Sequence, residues 1–203
     1  MKRRCLLFSI IVFFTANLYS QSFMEIIENY NLFLGNKISE YDYNNMIKNN
    51  VTRYLSLTDN NQIDELIRLN INNLIIDITI NSNRIITKVS SEDINIVGPS
   101  DLKIGDDIST VFSITNDFYY NNGYLELYAK INSNLIIVFG ENDKIKAQNL
   151  PEGYYKNGAF VVTKQKPSTL DISISEHENM KIKCFIYQNI TENNIYYTRI
   201  MFN

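Results

Sequence analysis

The sequence predicts an α+β fold of two related modules, each short helices followed by an antiparallel β-sheet, with a β-rich C-terminal part completing the second sheet. Three observations carry this expectation. An eight-residue pattern, L-x-[LI]-G-[ND]-x-I-S, occurs at Leu32–Ser39 and again at Leu102–Ser109. Strand-like alternation with turn residues follows each copy. Beyond Leu150 the chain consists almost wholly of further strand candidates.

The chain opens with Lys2, Arg3 and Arg4, then an apolar run from Cys5 through Phe14, then Thr15, Ala16, Asn17 and Ser20. A basic start, an apolar middle and a small or polar end make the grammar of a secretory signal peptide. The run is half of what a hydrocarbon core of roughly 30 Å demands of a helix. The expected organisation is therefore a signal peptide at 1–20, a first α+β module at 21–97, and a second at 98–203 that includes the C-terminal strands. An exported protein, periplasmic or secreted, without a stable membrane span after cleavage follows from this reading.

In each eight-residue pattern the glycine permits a tight turn, the Asn or Asp offers a side-chain oxygen to the helix that follows, and an apolar helical face comes next. In the second copy that face is Ile108, Val111 and Phe112. A second landmark is Asn73–Ile76, echoed by Asn134–Ile137, each leading to a basic-Ile pair, Arg84-Ile85 and Lys144-Ile145. Leu74, Ile76, Ile78 and Ile80 alternate with Asp77, Thr79 and Asn81, so one face of this strand is expected to be buried, and Asn81-Ser82-Asn83 turns the chain back. Asn44-Asn45 and Asn121-Asn122 also read as turns. Four later strands are expected at Ala159–Lys164, Thr169–Ser175, Met180–Gln188 and Ile195–Phe202, completing the second sheet.

The stretch Leu102–Val111, leading to Tyr124–Tyr128 and Leu135–Phe139, resembles the module of beta-lactamase-inhibitory-protein-like and outer-membrane-assembly-lipoprotein-like domains. The resemblance covers about residues 30–150. It implies tandem helix-plus-sheet modules that recognise proteins on an open sheet face. The chain lacks the disulfides of the inhibitor and the lipid-attachment cysteine of the lipoproteins, so no partner carries over.

Net charge is −3 and moves to −6 when residues 1–20 are removed, because that segment holds three basic and no acidic residues. A mildly acidic domain has no footprint for phosphate backbones, so no nucleic-acid partner is expected. After residue 20 one cysteine remains, Cys184, which excludes an intramolecular disulfide. It falls with Met180, Ile182 and Ile186 on one apolar parity and reads as a buried hydrophobe rather than a nucleophile. His177, the single histidine, lies between Glu176 and Glu178, but no further His or Cys completes a ligand set, so neither metal nor cofactor is expected. Asp101, Asp106 and Asp107 lack calcium-loop spacing and read as helix caps. No G-x-S-x-G elbow, P-loop, dinucleotide fingerprint or H-E-x-x-H helix is present, and no catalytic residue is assigned.

One surface stands out. Along Tyr124–Ile131, Leu125, Leu127, Ala129 and Ile131 take the core parity and leave Tyr124, Glu126, Tyr128 and Lys130 outward. Tyr119 and Tyr120 precede this strand, and Tyr154 and Tyr155 follow in a later loop. Tyrosine combines contact area with a polar tip at low entropic cost, which suits interfaces. The expected function is an exported, non-catalytic binding or envelope-interaction protein that recognises a protein partner through this face. A carboxylate-based hydrolase outside the cytoplasm is the alternative, since 22 acidic residues leave room for a convergent pair.

Overall fold

The computed structural model describes residues 21–48, 53–57, 63–121, 126–141, 152–156, 159–164, 169–172, 180–189 and 197–202. The expected signal segment, His177 and Tyr124 lie outside them, as does the pair Lys144-Ile145. The architecture is α+β and mostly β.

The first helix, α1 (Phe23–Asn29), follows a two-residue strand, β1 (Gln21–Ser22). The Ser22 amide donates to Glu25 Oε2 at 3.2 Å, satisfying a backbone donor at the start of the helix. Phe23, Ile26 and Ile27 recur at helical spacing and are fully buried. The second helix, α2 (Glu40–Lys48), contains Asn44 and Asn45, which the sequence had suggested as a turn. Ser39 stands before it and its hydroxyl accepts the Asp42 amide at 3.1 Å.

Four strands then meander: β2 (Arg53–Leu57), β3 (Ile63–Ile71), β4 (Leu74–Ile80) and β5 (Ile86–Ser91). The β4 alternation is as the sequence predicts, with Leu74, Ile76, Ile78 and Ile80 all buried. β6 (Ile96–Val97) pairs in parallel with β1. A short helix, α3 (Ile108–Val111), precedes β7 (Phe118–Asn121), β8 (Glu126–Lys130) and β9 (Leu135–Glu141). β10 (Glu152–Lys156) and β11 (Ala159–Lys164) form a hairpin of their own. The last strands are β12 (Thr169–Ile172), β13 (Cys184–Gln188) and β14 (Tyr197–Phe202).

Where two sheets were expected, ten strands join in one, in the order β12-β14-β7-β8-β9-β13-β5-β4-β3-β2. All neighbours are antiparallel except β12 and β14. The physical reason is β13: it pairs with β9 on one side and with β5 on the other, so it closes the gap between the two meanders.

The two eight-residue patterns adopt one conformation. Gly35 has φ +85° and Gly105 φ +95°, and the preceding Asn31 and Asp101 also lie in the left-handed region at +54° and +61°. The Asn36 amide donates to Phe33 O and the Asp106 amide to Lys103 O, both at 3.1 Å, closing turns with glycine at the third position. Each stretch then pairs with a segment leading into a central strand. Gly35 N bonds Ile86 O, Ile86 N bonds Asn36 O, and Ile38 N bonds Arg84 O, all at 2.9 Å. Gly105 N bonds Ile182 O, Ile182 N bonds Asp106 O, and Ile108 N bonds Met180 O, all at 2.8 Å. The counterpart of Arg84-Ile85-Ile86 in this bonding is therefore Met180-Lys181-Ile182.

One face of the sheet, with the helices over it, forms the main core. Phe23 and Phe185 meet there with ring centroids 6.1 Å apart, and Phe112, Phe118 and Phe202 form a second aromatic group at 4.9–5.3 Å. The opposite, outer face carries a separate buried cluster of Tyr128, Ile136, Val138, Cys184 and Ile186. The expected single stripe Met180, Ile182, Cys184, Ile186 is thus divided. Met180 and Ile182 enter the main core while Cys184 and Ile186 enter the outer cluster. The buried side thus changes between Ile182 and Cys184; a register shift of the β-bulge kind occurs in the β4–β5 pairing between Thr79 and Ile80.

Candidate functional site

The outer face of β7, β8 and β14 holds what the sequence singles out. Tyr119 of β7 stands opposite Tyr128 of β8 and opposite Arg199 of β14. Antiparallel pairing places these three side chains on one face. The Tyr119 hydroxyl donates to Asp117 Oδ1 at 3.1 Å, and Arg199 Nη2 reaches the same oxygen at 3.5 Å. The Tyr128 hydroxyl donates to Glu126 Oε2 at 3.2 Å. Glu126, Lys130, Tyr119 and Asp117 are half-buried, and Arg199 is exposed.

Two of the predicted residues need correction. Tyr120 is 1% exposed because its parity, shared with Phe118, points it into the main core. Tyr128 lies outward as expected but is 6% exposed, since Ile136 and Val138 of the adjoining strand pack beside it. The open part of this face is therefore a polar ring of Tyr119, Glu126, Lys130, Asp117 and Arg199 around a buried tyrosine. Asp117 and Arg199 were not singled out from sequence. Their signal is the cross-strand register, which brings together residues far apart in the chain.

A second polar constellation was also missed. Glu65 on β3 shares the core parity of Ile67 and Leu69 and is 9% exposed. The Tyr43 hydroxyl of α2 donates to its Oε2 at 2.8 Å, and the Arg84 guanidinium sits 4.8 Å from the centre of the Tyr43 ring. This arrangement supplies a buried carboxylate with a partner and pins α2 to the sheet. A carboxylate at core parity in an alternating strand was the legible sign.

The acidic residues around α3 are not the helix caps expected. Asp106 Oδ2 accepts the Lys103 amide at 2.7 Å, which holds the glycine turn rather than the helix. Asp107 occupies the cap position without a side-chain bond to the helix and pairs with Lys181 at 2.6 Å. Burial pushes the Cys184 thiol up to about 12, far from the range of an activated nucleophile. Among the described residues no three His, Cys, Asp or Glu side chains gather to hold a metal ion. No helix among them is long and apolar enough to cross a membrane.

Fold and site together define a mostly antiparallel α+β protein with a polar patch on its outer sheet face. No family model matches the chain. No curated protein matches it either. Among solved structures it is similar to the uncharacterized protein yfeY from Escherichia coli, at 14% identity and a TM-score of 0.41, over 68% of this chain and 81% of that one.

Proposed function

We propose that the protein is an exported, non-catalytic recognition protein that binds a protein partner through the outer face of its sheet. The observation that carries this reading is the Asp117–Tyr119–Arg199 group. Its aromatic ring and its charges are already tied to one another, at 3.1 and 3.5 Å, on an accessible sheet surface. Groups held in place before binding lose less side-chain entropy on binding, and Tyr and Arg are the residues most enriched among energetic anchors. The resemblance to inhibitor-like modules, which recognise proteins on a sheet face, points the same way.

The reading includes a finer statement about the fold: the chain consists of two related modules. Its support is the matching turn geometry and the matching bonds of Gly35, Asn36 and Ile38 with those of Gly105, Asp106 and Ile108. In this alignment β5 corresponds to β13, β4 to β9, β3 to β8 and β2 to β7. The hairpin β10–β11 and the strand β12 are then an insertion between β9 and β13.

The test is crosslinking and pull-down from the native cell envelope, comparing the wild type with a Tyr119→Ala, Arg199→Ala double variant of unchanged unfolding midpoint. A discrete protein captured by the wild type and lost from the variant supports recognition by this patch. Equal capture moves the interface elsewhere on the sheet. No capture by either overturns the reading and makes hydrolase activity the next assay.

A further inference from the structure

The first residues of the described fold bound the place where an export signal is cut. Phe23 is fully buried, with its ring centroid 6.1 Å from that of Phe185. Immediately before it, the Ser22 amide donates to Glu25 Oε2, and Gln21 and Ser22 pair in parallel with Ile96 and Val97. The native packing therefore uses the chain from Gln21 onward, and this end is tied down from its first residue.

Signal cleavage prefers small residues at the first and third positions before the cut. Ser20 and Ser22 each supply the first, and Ser20 also stands third before a cut after Ser22. That later cut, however, removes β1 together with the amide bonded to Glu25. It also sets a charged ammonium on Phe23, whose side chain has no exposed surface. A cut after Ala16 puts Phe14, a large residue of the apolar run, at the third position. Cleavage after Ser20 keeps the fold whole and makes Gln21 the first residue.

Glutamine at a free amino terminus has its own reaction. The α-amino nitrogen attacks the side-chain Cδ, the new N–Cδ bond closes a lactam, and the Cδ–Nε2 bond breaks. Nε2 leaves as ammonia, carrying a proton from the attacking amine. The step is intramolecular and needs neither oxidant nor reductant. Gln21 is half-buried, and its side-chain amide makes no hydrogen bond among the described residues, so nothing there holds it away from its own nitrogen. The lactam retains the residue's backbone carbonyl and one N–H. It removes an ammonium from the N-terminal end of α1, where the helix dipole disfavours positive charge.

We infer that Gln21 is the mature amino terminus and a modification site, closed to pyroglutamate. The inference rests on the export reading above. For the test, the protein is purified from its native cells, its amines are dimethylated before digestion, and cleavage at arginine releases the terminal peptide for tandem mass spectrometry. Labelling first prevents a free Gln21 from closing during digestion. The expected peptide is Gln21–Arg53, unlabelled at its terminus and about 17 Da lighter than the glutamine form, the mass of one ammonia. Gln21→Ala should start at the same position with a labelled amine, and a blocked terminus in that variant overturns the inference. A labelled amine on Gln21 overturns lactam closure and leaves export standing. A peptide that starts at Phe23 or at another residue after the signal overturns the assigned terminus. One that starts at Met1 overturns both the inference and the export reading beneath it.

Discussion

Ser90 and Ile186 face each other across the β5–β13 pairing, and each stands four residues beyond an isoleucine, Ile86 or Ile182, that bonds to a glycine turn. The neighbouring pairs, Val89 with Tyr187 and Ser91 with Phe185, are arranged symmetrically about this one. A local two-fold relation therefore runs through the centre of the sheet. Ile186 is 5% exposed on the outer face. Ile186→Asp would bury an unpaired carboxylate there, and a loss of several kcal/mol is expected. Urea unfolding checks it: the midpoint should fall well below that of Ile186→Val, which keeps the apolar shape.

Gly35 and Gly105 present a cleaner experiment. Both have strongly positive φ, and a Cβ at either would have open space around it. The cost of alanine is then conformational alone, about 1–2 kcal/mol at each position. Asparagine should recover part of it, because its side chain tolerates the left-handed region. Equal losses in chemical denaturation for Gly35→Ala and Gly105→Ala are expected, and a loss at only one of them would show that the two turns differ in strain.

Gly98 is limited by space rather than by backbone conformation. A Cβ there would overlap the Phe185 ring, which is fully buried in the main core and contacts Phe23. Gly98→Ala should cost about 1–3 kcal/mol through overpacking. Phe185→Leu combined with Gly98→Ala should cost less than the sum of the two single changes. A double-mutant cycle reads that coupling directly.

Cys184 makes a prediction about alkaline pH. Its folded-state value is raised from 9.0 to about 12, with burial as the largest cause. Below pH 9 both folded and unfolded thiols are protonated and the residue's stabilising contribution is complete. Between pH 9 and 12 the unfolded thiol ionises first, so stability falls as pH rises. Wild type should therefore lose more stability than Cys184→Ala across that window. Peptide mapping after iodoacetamide treatment at pH 8 should find Cys184 unmodified in the folded protein and modified in urea.

Arg68 and Asp77 form a two-bond pair across β3 and β4, at 2.8 and 2.7 Å. Arg68 is 45% exposed and Asp77 17%. Solvent screening limits such a pair to about 0.2–1 kcal/mol. Arg68→Ala should cost that much in low salt and less in 1 M sodium chloride, where the screening length is about 3 Å.

Local pattern was legible where one face met water and the other met the core. The β4 alternation and the two glycine turns follow from the sequence directly, because each depends on a handful of adjacent residues. The outer face of β8 was legible only in parity. Tyr128 reads as a surface residue by type, yet neighbouring strands supply Ile136, Val138 and Ile186 around it. That environment is set by strand order, which no local window contains. The single sheet was hidden for the same reason: β13 belongs beside β5, about ninety-five residues earlier in the chain. Asp117 and Arg199 meet across a comparable distance, so the most accessible charged group of the candidate site had no sequence signature.

That long-range pairing has a consequence for how the chain reaches its native state. Hairpins within β2–β5 and β7–β9 close over short loops and can form early, whereas the β5–β13 contact must wait for a distant segment. During synthesis the N-terminal half emerges first. Until residues 184–188 arrive, β5 is an open edge whose hydrogen-bonding groups are unpaired on one side. The interval between the two is the period in which this protein is most exposed to pairing with a second molecule, and a holdase acting on it would find its target at β5.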